Sequence, residues 1–253
     1  MPTRGLAFLT PTRRITRMKI TLFLCLFTVS LFARPLDEII VVALGGYTSC
    51  GSGGPTSMGM YTPVKKLIDD LKVVRAERRV HYVIGCLDSA APPKGKGQFI
   101  SSRLRGKAYS GDTSDIQREI ETISKSSPNA PIFLAGHSYG GWQAMYLSTR
   151  LPAAITISGL YTIDPISNKC GASEVIFGSQ ECRRAPREFD NLAIQKRVGD
   201  WRNLYQDQDS WIHSSEISEA KNHHIVYRGP HTEIDADERT WDLIKSSVYS
   251  EVN

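Results

Sequence analysis

The chain has 253 residues, 41% hydrophobic and 23% charged, a balance that supplies one sizeable core and excludes a disordered chain, a collagen and a disulfide-held miniprotein. Its formal charge of +5 arises in the leader: Arg4, Arg13, Arg14, Arg17 and Lys19 precede the first acid, Asp37, and beyond residue 33 Lys and Arg number 26 against 26 Asp and Glu. A body with no surplus of cations has little with which to displace phosphate counterions, so composition argues against a nucleic-acid partner.

Residues 20–33 (ITLFLCLFTVSLFA) follow that basic stretch without a single charge, the pattern of a signal peptide cut after Ala33, with Met18 as an alternative start. The uncharged run is shorter than the about 20 residues a membrane-spanning helix needs, so a secreted or periplasmic protein is expected, and an uncleaved leader that tethers it to a membrane is the alternative. Loss of residues 1–33 removes Cys25 and leaves Cys50, Cys86, Cys170 and Cys182. An even number in an exported chain points to two disulfides. The short loop between Cys170 and Cys182 closes easily, which leaves Cys50 for Cys86; four free thiols are the alternative. Residues 34–253 are expected to form a single domain.

Ile39–Leu44 (IIVVAL) is a wholly apolar, β-branched run that ends in glycines, as suits a strand buried on both faces of a parallel sheet. Behind Thr62-Pro63, the spacing of Val64, Leu67, Ile68 and Leu71 predicts a helix. A strand follows at Val80–Ile84. Residues 91–111 then read as a long connection whose basic part, 94–107, carries Lys94, Lys96, Arg103, Arg105 and Lys107. It is expected to be a solvated loop, with peripheral contact to anionic lipid or an acidic substrate as the other possibility. Ile116, Ile120 and Ile123 predict a helix capped by Ser114 with Gln117. Pro131–Ala135 (PIFLA) is the next strand, 140–151 the next helix and Ile155–Ile163 a further strand. Residues 165–222 interrupt the alternation and read as a cap-like excursion. Ile225–Tyr227 is expected to be the last strand, and a terminal helix carries Trp241, Ile244 and Val248 on one face. Strand and helix alternate as in an open α/β sheet, whose ligands lie beyond the carboxyl ends of its strands.

Gly136-His137-Ser138-Tyr139-Gly140 fits G-x-S-x-G between a strand and a helix. Serine at such a turn points its Oγ outward, and a side chain at either glycine would strike the neighbouring backbone. Serine needs a base. His81, His223 and His224 precede or begin strands and so are expected at the far end of the sheet, His213 lies in the excursion and His137 reads as a packing residue inside the turn. His231 alone follows a strand and precedes a helix, which puts it on the rim with Ser138. The orienting carboxylate is expected to be Asp164, where Pro165 stops the strand; Asp190, Asp200, Asp207 and Asp209 in the excursion rank lower. The N–H of Tyr139, at the start of the helix, is the first expected oxyanion donor.

The order Ser138, Asp164, His231 and the GHSYGG turn resemble the α/β-hydrolases, in particular small secreted members of lipase and esterase type. The resemblance implies an α/β fold with a minimal, mostly parallel sheet of about five or six strands and helices on both faces. It implies a second oxyanion donor after the first central strand, at Gly46 or Tyr47. The expected function is hydrolysis of a small-molecule or lipid carboxylic ester through an acyl-enzyme on Ser138, with no metal and no cofactor. A thioesterase or acyltransferase using the same three residues is one alternative, and a catalytically silent binding module on the same fold is another. Trp142, Trp201, Tyr205 and Trp211 are candidates to line an acyl groove, against the more frequent fate of packing in the core.

Overall fold

A computed structural model of the protein describes residues 38–47, 49–89, 95–170, 179–209 and 211–253; the expected leader, 1–33, and Lys94 lie outside them. No helix among the described residues is long and apolar enough to cross a membrane.

Strand β1 (Glu38–Tyr47) leads to helix α1 (Tyr61–Val74) and strand β2 (Arg79–Ser89). A hairpin of β3 (Lys96–Ser101) and β4 (Lys107–Asp112) then precedes α2 (Thr113–Ser126). Next come β5 (Ile132–His137), α3 (Tyr139–Arg150) and β6 (Ile157–Ile163). After a short α4 (Asn191–Gln195), β7 (Val198–Tyr205) and β8 (Lys221–His224) complete the sheet, and α5 (Glu238–Val252) closes the domain. The strand order is β4-β3-β2-β1-β5-β6-β7-β8. Among the described residues, strands β2, β1, β5, β6, β7 and β8 run parallel, and the β3–β4 hairpin adds the antiparallel pairings.

The side-chain period of two along β1 divides the core. Ile39, Val41 and Ala43 face α1 and α5, where they meet Val64, Leu67, Ile68, Leu71, Trp241, Ile244 and Val248. Ile40, Val42 and Leu44 face α2 and α3, where Ile116, Ile120, Ile123 and Leu147 cover them. A strand covered on both faces has no polar side to show, which is why its sequence is an unbroken apolar run.

Four expectations are corrected. Among the described residues the sheet has eight strands, not five or six. The expected basic loop, 94–107, is in its described part largely the β3–β4 hairpin: alternation along β3 buries Phe99 against Tyr109 (ring centroids 5.6 Å apart), and Lys96, Arg103, Arg105 and Lys107 are exposed at the sheet margin. The α2 cap is Asp112 with Asp115, not Ser114 with Gln117; Asp112 accepts from the N–H groups of Ser114 and Asp115, and Asp115 Oδ2 accepts the N–H of Asp112. The excursion 165–222 contains β7 and ends in β8, so the last strand is Lys221–His224 and Ile225–Tyr227 follows it. Strand β7 was obscured by Asp200 and Asn203, which are buried but satisfied: Asp200 by Arg202, Lys221 and Ser247, and Asn203 by Ser215, Asn222 and Thr162. Polar groups bonded in this way cost little to bury.

Candidate active site

The carboxyl ends of β1, β5, β6 and β7 converge on one rim. Ser138 is the single residue between β5 and α3, and its backbone is strained, at φ 58° and ψ −126°. Strain of this kind costs about 1–3 kcal/mol and persists only where surrounding contacts impose it. Here the Ser138 N–H donates to the Ile163 carbonyl at 3.0 Å, and the Ser138 carbonyl accepts the N–H groups of Gly141 and Ile166 at 3.0 and 3.3 Å. The turn is also sterically closed to anything but glycine on both sides: a Cβ at Gly136 would lie 2.1 Å from the Gly140 carbonyl oxygen, and one at Gly140 2.1 Å from the Leu44 oxygen.

The N–H donated to Ile163 brings the turn beside the end of β6, where Asp164, fully buried and at φ 44°, follows directly. Asp164 Oδ1 accepts the N–H groups of Ser214 (2.8 Å) and Gln206 (3.3 Å). Its Oδ2 accepts Gln206 Nε2 (3.2 Å) and lies 2.6 Å from His231 Nδ1. The carboxylate thus fixes the His231 ring with Nδ1 as donor and leaves Nε2 as the acceptor. Nε2 is buried and has no hydrogen-bond partner among the described residues, so the Ser138 hydroxyl is not bonded to it in this structure. Catalytic hydrogen bonds of this type commonly tighten only when substrate is bound.

His231 opens a 3-10 turn, His231–Ala236, and its N–H donates to Asp209 Oδ2 at 2.9 Å. Asp209 also accepts from Trp211 and Ile212. Burial pushes the Asp209 carboxyl up, but the three backbone N–H groups outweigh burial and hold it below the usual range. Sequence ranking placed Asp209 among lesser acids, because what it binds is main chain and main-chain partners leave no pattern of residue types.

The other candidates are distributed unevenly. Gly46 lies against the nucleophile: a Cβ there would stand 2.7 Å from Ser138 Cβ. Tyr139 opens α3, and Tyr47 ends β1. Trp142 and Trp201 are both 4% exposed and pack in the core, Trp142 stacked on Tyr139 and Tyr146. Tyr205 ends β7 with its hydroxyl on Glu216, and Trp211 is 56% exposed beside the Asp209 anchor. His223 and His224 do not lie at the remote end, as expected from a strand at 225–227. They close β8 on the carboxyl side, with His224 paired to Asp207 at 2.9 Å. Both expected disulfides are present, Cys50–Cys86 and Cys170–Cys182. The first ties the loop after β1, just beyond Gly46 and Tyr47, to β2.

No protein-family model matches the sequence. A mouse (Mus musculus) monoglyceride lipase is 32% identical over 72 residues, which are 28% of this chain and 23% of that protein. The chain thus matches under a quarter of the relative's length. Among solved structures, MenH from S. aureus overlays with a TM-score of 0.41 at 12% identity, covering 85% of this chain and 95% of its own. A CIB-like hydrolase from Thermoplasma acidophilum gives 0.39 at 13% identity, over 83% and 87% of the two chains. The NocB thioesterase domain gives 0.39 at 14%, over 85% and 96%. The molecule itself has parallel strands in the order β2-β1-β5-β6-β7-β8, a strained serine turn between β5 and α3, and an acid and a histidine following in that order on the same rim. The chain has the fold of the α/β-hydrolase superfamily.

Proposed function

We propose that the protein is an exported serine hydrolase that cleaves carboxylic esters through an acyl-enzyme on Ser138. The observation that carries this reading is the Asp164–His231 hydrogen bond, which leaves Nε2 without a partner among the described residues, together with a serine held in a strained turn at the end of a neighbouring strand. Ser138 Oγ attacks the ester carbonyl carbon and passes its proton to His231 Nε2, and Asp164 stabilises the resulting imidazolium. The N–H groups of Tyr139 and of Gly46 or Tyr47 take the oxyanion. Collapse of the tetrahedral intermediate expels the alcohol, which leaves with the proton from Nε2. Water, deprotonated by the same nitrogen, then attacks the acyl-enzyme and releases the acid. The short likeness to a monoglyceride lipase agrees with an ester substrate, and two disulfides agree with an oxidising compartment.

Labelling with a fluorophosphonate tests the proposal: wild type is expected to label and Ser138→Ala is not. Equal labelling of the two, or none of wild type, refutes it. A panel of p-nitrophenyl esters of rising acyl length, run beside acyl-thioesters, then separates esterase from thioesterase.

A further inference from the structure

His137 precedes Ser138 and ends β5, and it is 4% exposed. The sequence gives it the look of a packing residue, yet both of its ring nitrogens are engaged. Nε2 lies 2.9 Å from the backbone carbonyl oxygen of His231, and Nδ1 lies 3.4 Å from Asp235 Oδ2. Asp235 is 2% exposed, sits on the same 3-10 turn as His231, and accepts the N–H of Met60 at 3.1 Å. Room for its carboxylate exists because residue 59 is glycine; a Cβ there would stand 2.3 Å from Oδ1.

The carbonyl accepts, so Nε2 donates to it; the Asp235 carboxylate facing Nδ1 favours a proton there as well, and an imidazole with a proton on both nitrogens is the cation. Three titratable groups surround the ring: Asp235 on the 3-10 turn, Asp164 at the end of β6, and the His231 ring with its centroid 4.8 Å away. Burial opposes the cation, but the charge and hydrogen bond of Asp235, with help from Asp164 and the His231 carbonyl, outweigh burial and raise the pKa above the ordinary histidine value. Burial likewise pushes Asp235 up, and His137 overcomes it, so that carboxyl is held down. A buried ion pair is a poor source of net stability, since apolar residues of similar volume commonly do as well. Its place here, one residue from the nucleophile and bonded to the backbone of His231, points to geometry.

We propose that His137 is a positioning residue: its ring, charged against Asp235, ties the strand that ends at Ser138 to the turn that carries His231, and so sets the His231 imidazole against the nucleophile. With Asp209 on the N–H of His231, Asp164 on Nδ1 and His137 on the carbonyl, the residue is held at three points. The assignment rests on the serine-hydrolase reading above.

The test compares wild type, His137→Gln and His137→Leu in fluorophosphonate labelling rate, in kcat and KM on p-nitrophenyl butyrate, and in Tm. His137→Leu is expected to lower kcat and the labelling rate about 10- to 100-fold, the scale of a misplacement of about 1 Å, with KM changed less than about twofold. His137→Gln, whose amide N–H reaches the same carbonyl, is expected to recover most of the lost kcat. A wild type that labels, with a folded Leu variant at the same rate, overturns the assignment and leaves the hydrolase standing; a wild type that does not label removes both. Should the Leu variant not fold, the ¹⁵N signature of the His137 ring in wild type at neutral pH decides: a doubly protonated ring supports the assignment and a neutral one overturns it.

Discussion

Replacing Asp164 by asparagine is the sharpest perturbation of this site. Two backbone donors, Ser214 N–H at 2.8 Å and Gln206 N–H at 3.3 Å, face Oδ1, so the amide oxygen of Asp164→Asn takes that position. Its NH₂ group then occupies the place of Oδ2, where it meets two donors, His231 Nδ1 and Gln206 Nε2. Gln206 has no freedom to flip its amide, because its Oε1 accepts the N–H groups of Gln208 and Asp209 at 2.8 and 3.0 Å. The imidazole relieves the conflict by moving its proton to Nε2, and in that tautomer it has no lone pair for the Ser138 proton. The loss expected in kcat is about 10,000-fold, or roughly 5 kcal/mol of transition-state stabilisation. The exchange of charged for neutral hydrogen bonds costs a further 1–3 kcal/mol or so of folding stability. Turnover of p-nitrophenyl butyrate and a calorimetric Tm measure the two losses separately. A folded Asp164→Asn protein within about tenfold of wild-type kcat would refute the assignment of Asp164.

Other perturbations have equally definite outcomes. Asp209→Ala removes the acceptor of the His231 N–H and is expected to lower kcat about tenfold or more; unchanged turnover would show that the anchor is dispensable. Gly136→Ala places a methyl 2.1 Å from the Gly140 carbonyl oxygen, and is expected to yield little folded protein, as judged by soluble expression and circular dichroism. Removing the Cys50–Cys86 bridge, which closes a 36-residue separation, is expected to cost about 4 kcal/mol on chain entropy, and turnover is expected to fall even where the protein stays folded, because the bridge braces the loop beside Gly46. The His137–Asp235 pair sets a pH dependence. The raised His137 pKa contributes stability that is full below the unfolded value of 6.5 and drains away as pH climbs through the native value. The lowered Asp235 pKa contributes stability that is present above 3.8 and is lost as pH falls through its native value. The Tm gap between wild type and Asp235→Asn is therefore expected to be widest from about pH 4 to 6.5 and to narrow on either side; a gap independent of pH would refute the pairing.

The positions of Ser138, Asp164 and His231 in the fold follow from local signals: a strand, a glycine-flanked turn and a helix around the first, a strand stopped by Pro165 before the second, and a strand preceding the third. Even there, the strand before His231 lies a few residues earlier than its sequence suggests, since Ile225 and Val226 look more strand-like than Lys221–His224, which pair with β7. Tertiary contacts hid the remainder. Strand β7 carries Asp200 and Asn203, buried on opposite faces, and their partners come from β8, α5 and the segment between β7 and β8. The β3–β4 hairpin has a single large buried side chain, Phe99, too little alternation to stand out among glycines and lysines. Asp235, four residues after His231, lies on the same 3-10 segment; the spacing is visible in the sequence, but the partner, 98 positions earlier at His137, is not.

The two margins of the sheet bear on how copies of the molecule behave at high concentration. One margin is β4 (KAYSGD), largely exposed, and the other is β8, four residues long with the sequence KNHH. Neither offers a long, flat, oily ribbon of unpaired amides on which a second chain could anneal, and each begins with a lysine that would be stripped of water in any such union. Resistance to fibre formation is thus built into the borders of this fold, independently of the chemistry at its rim.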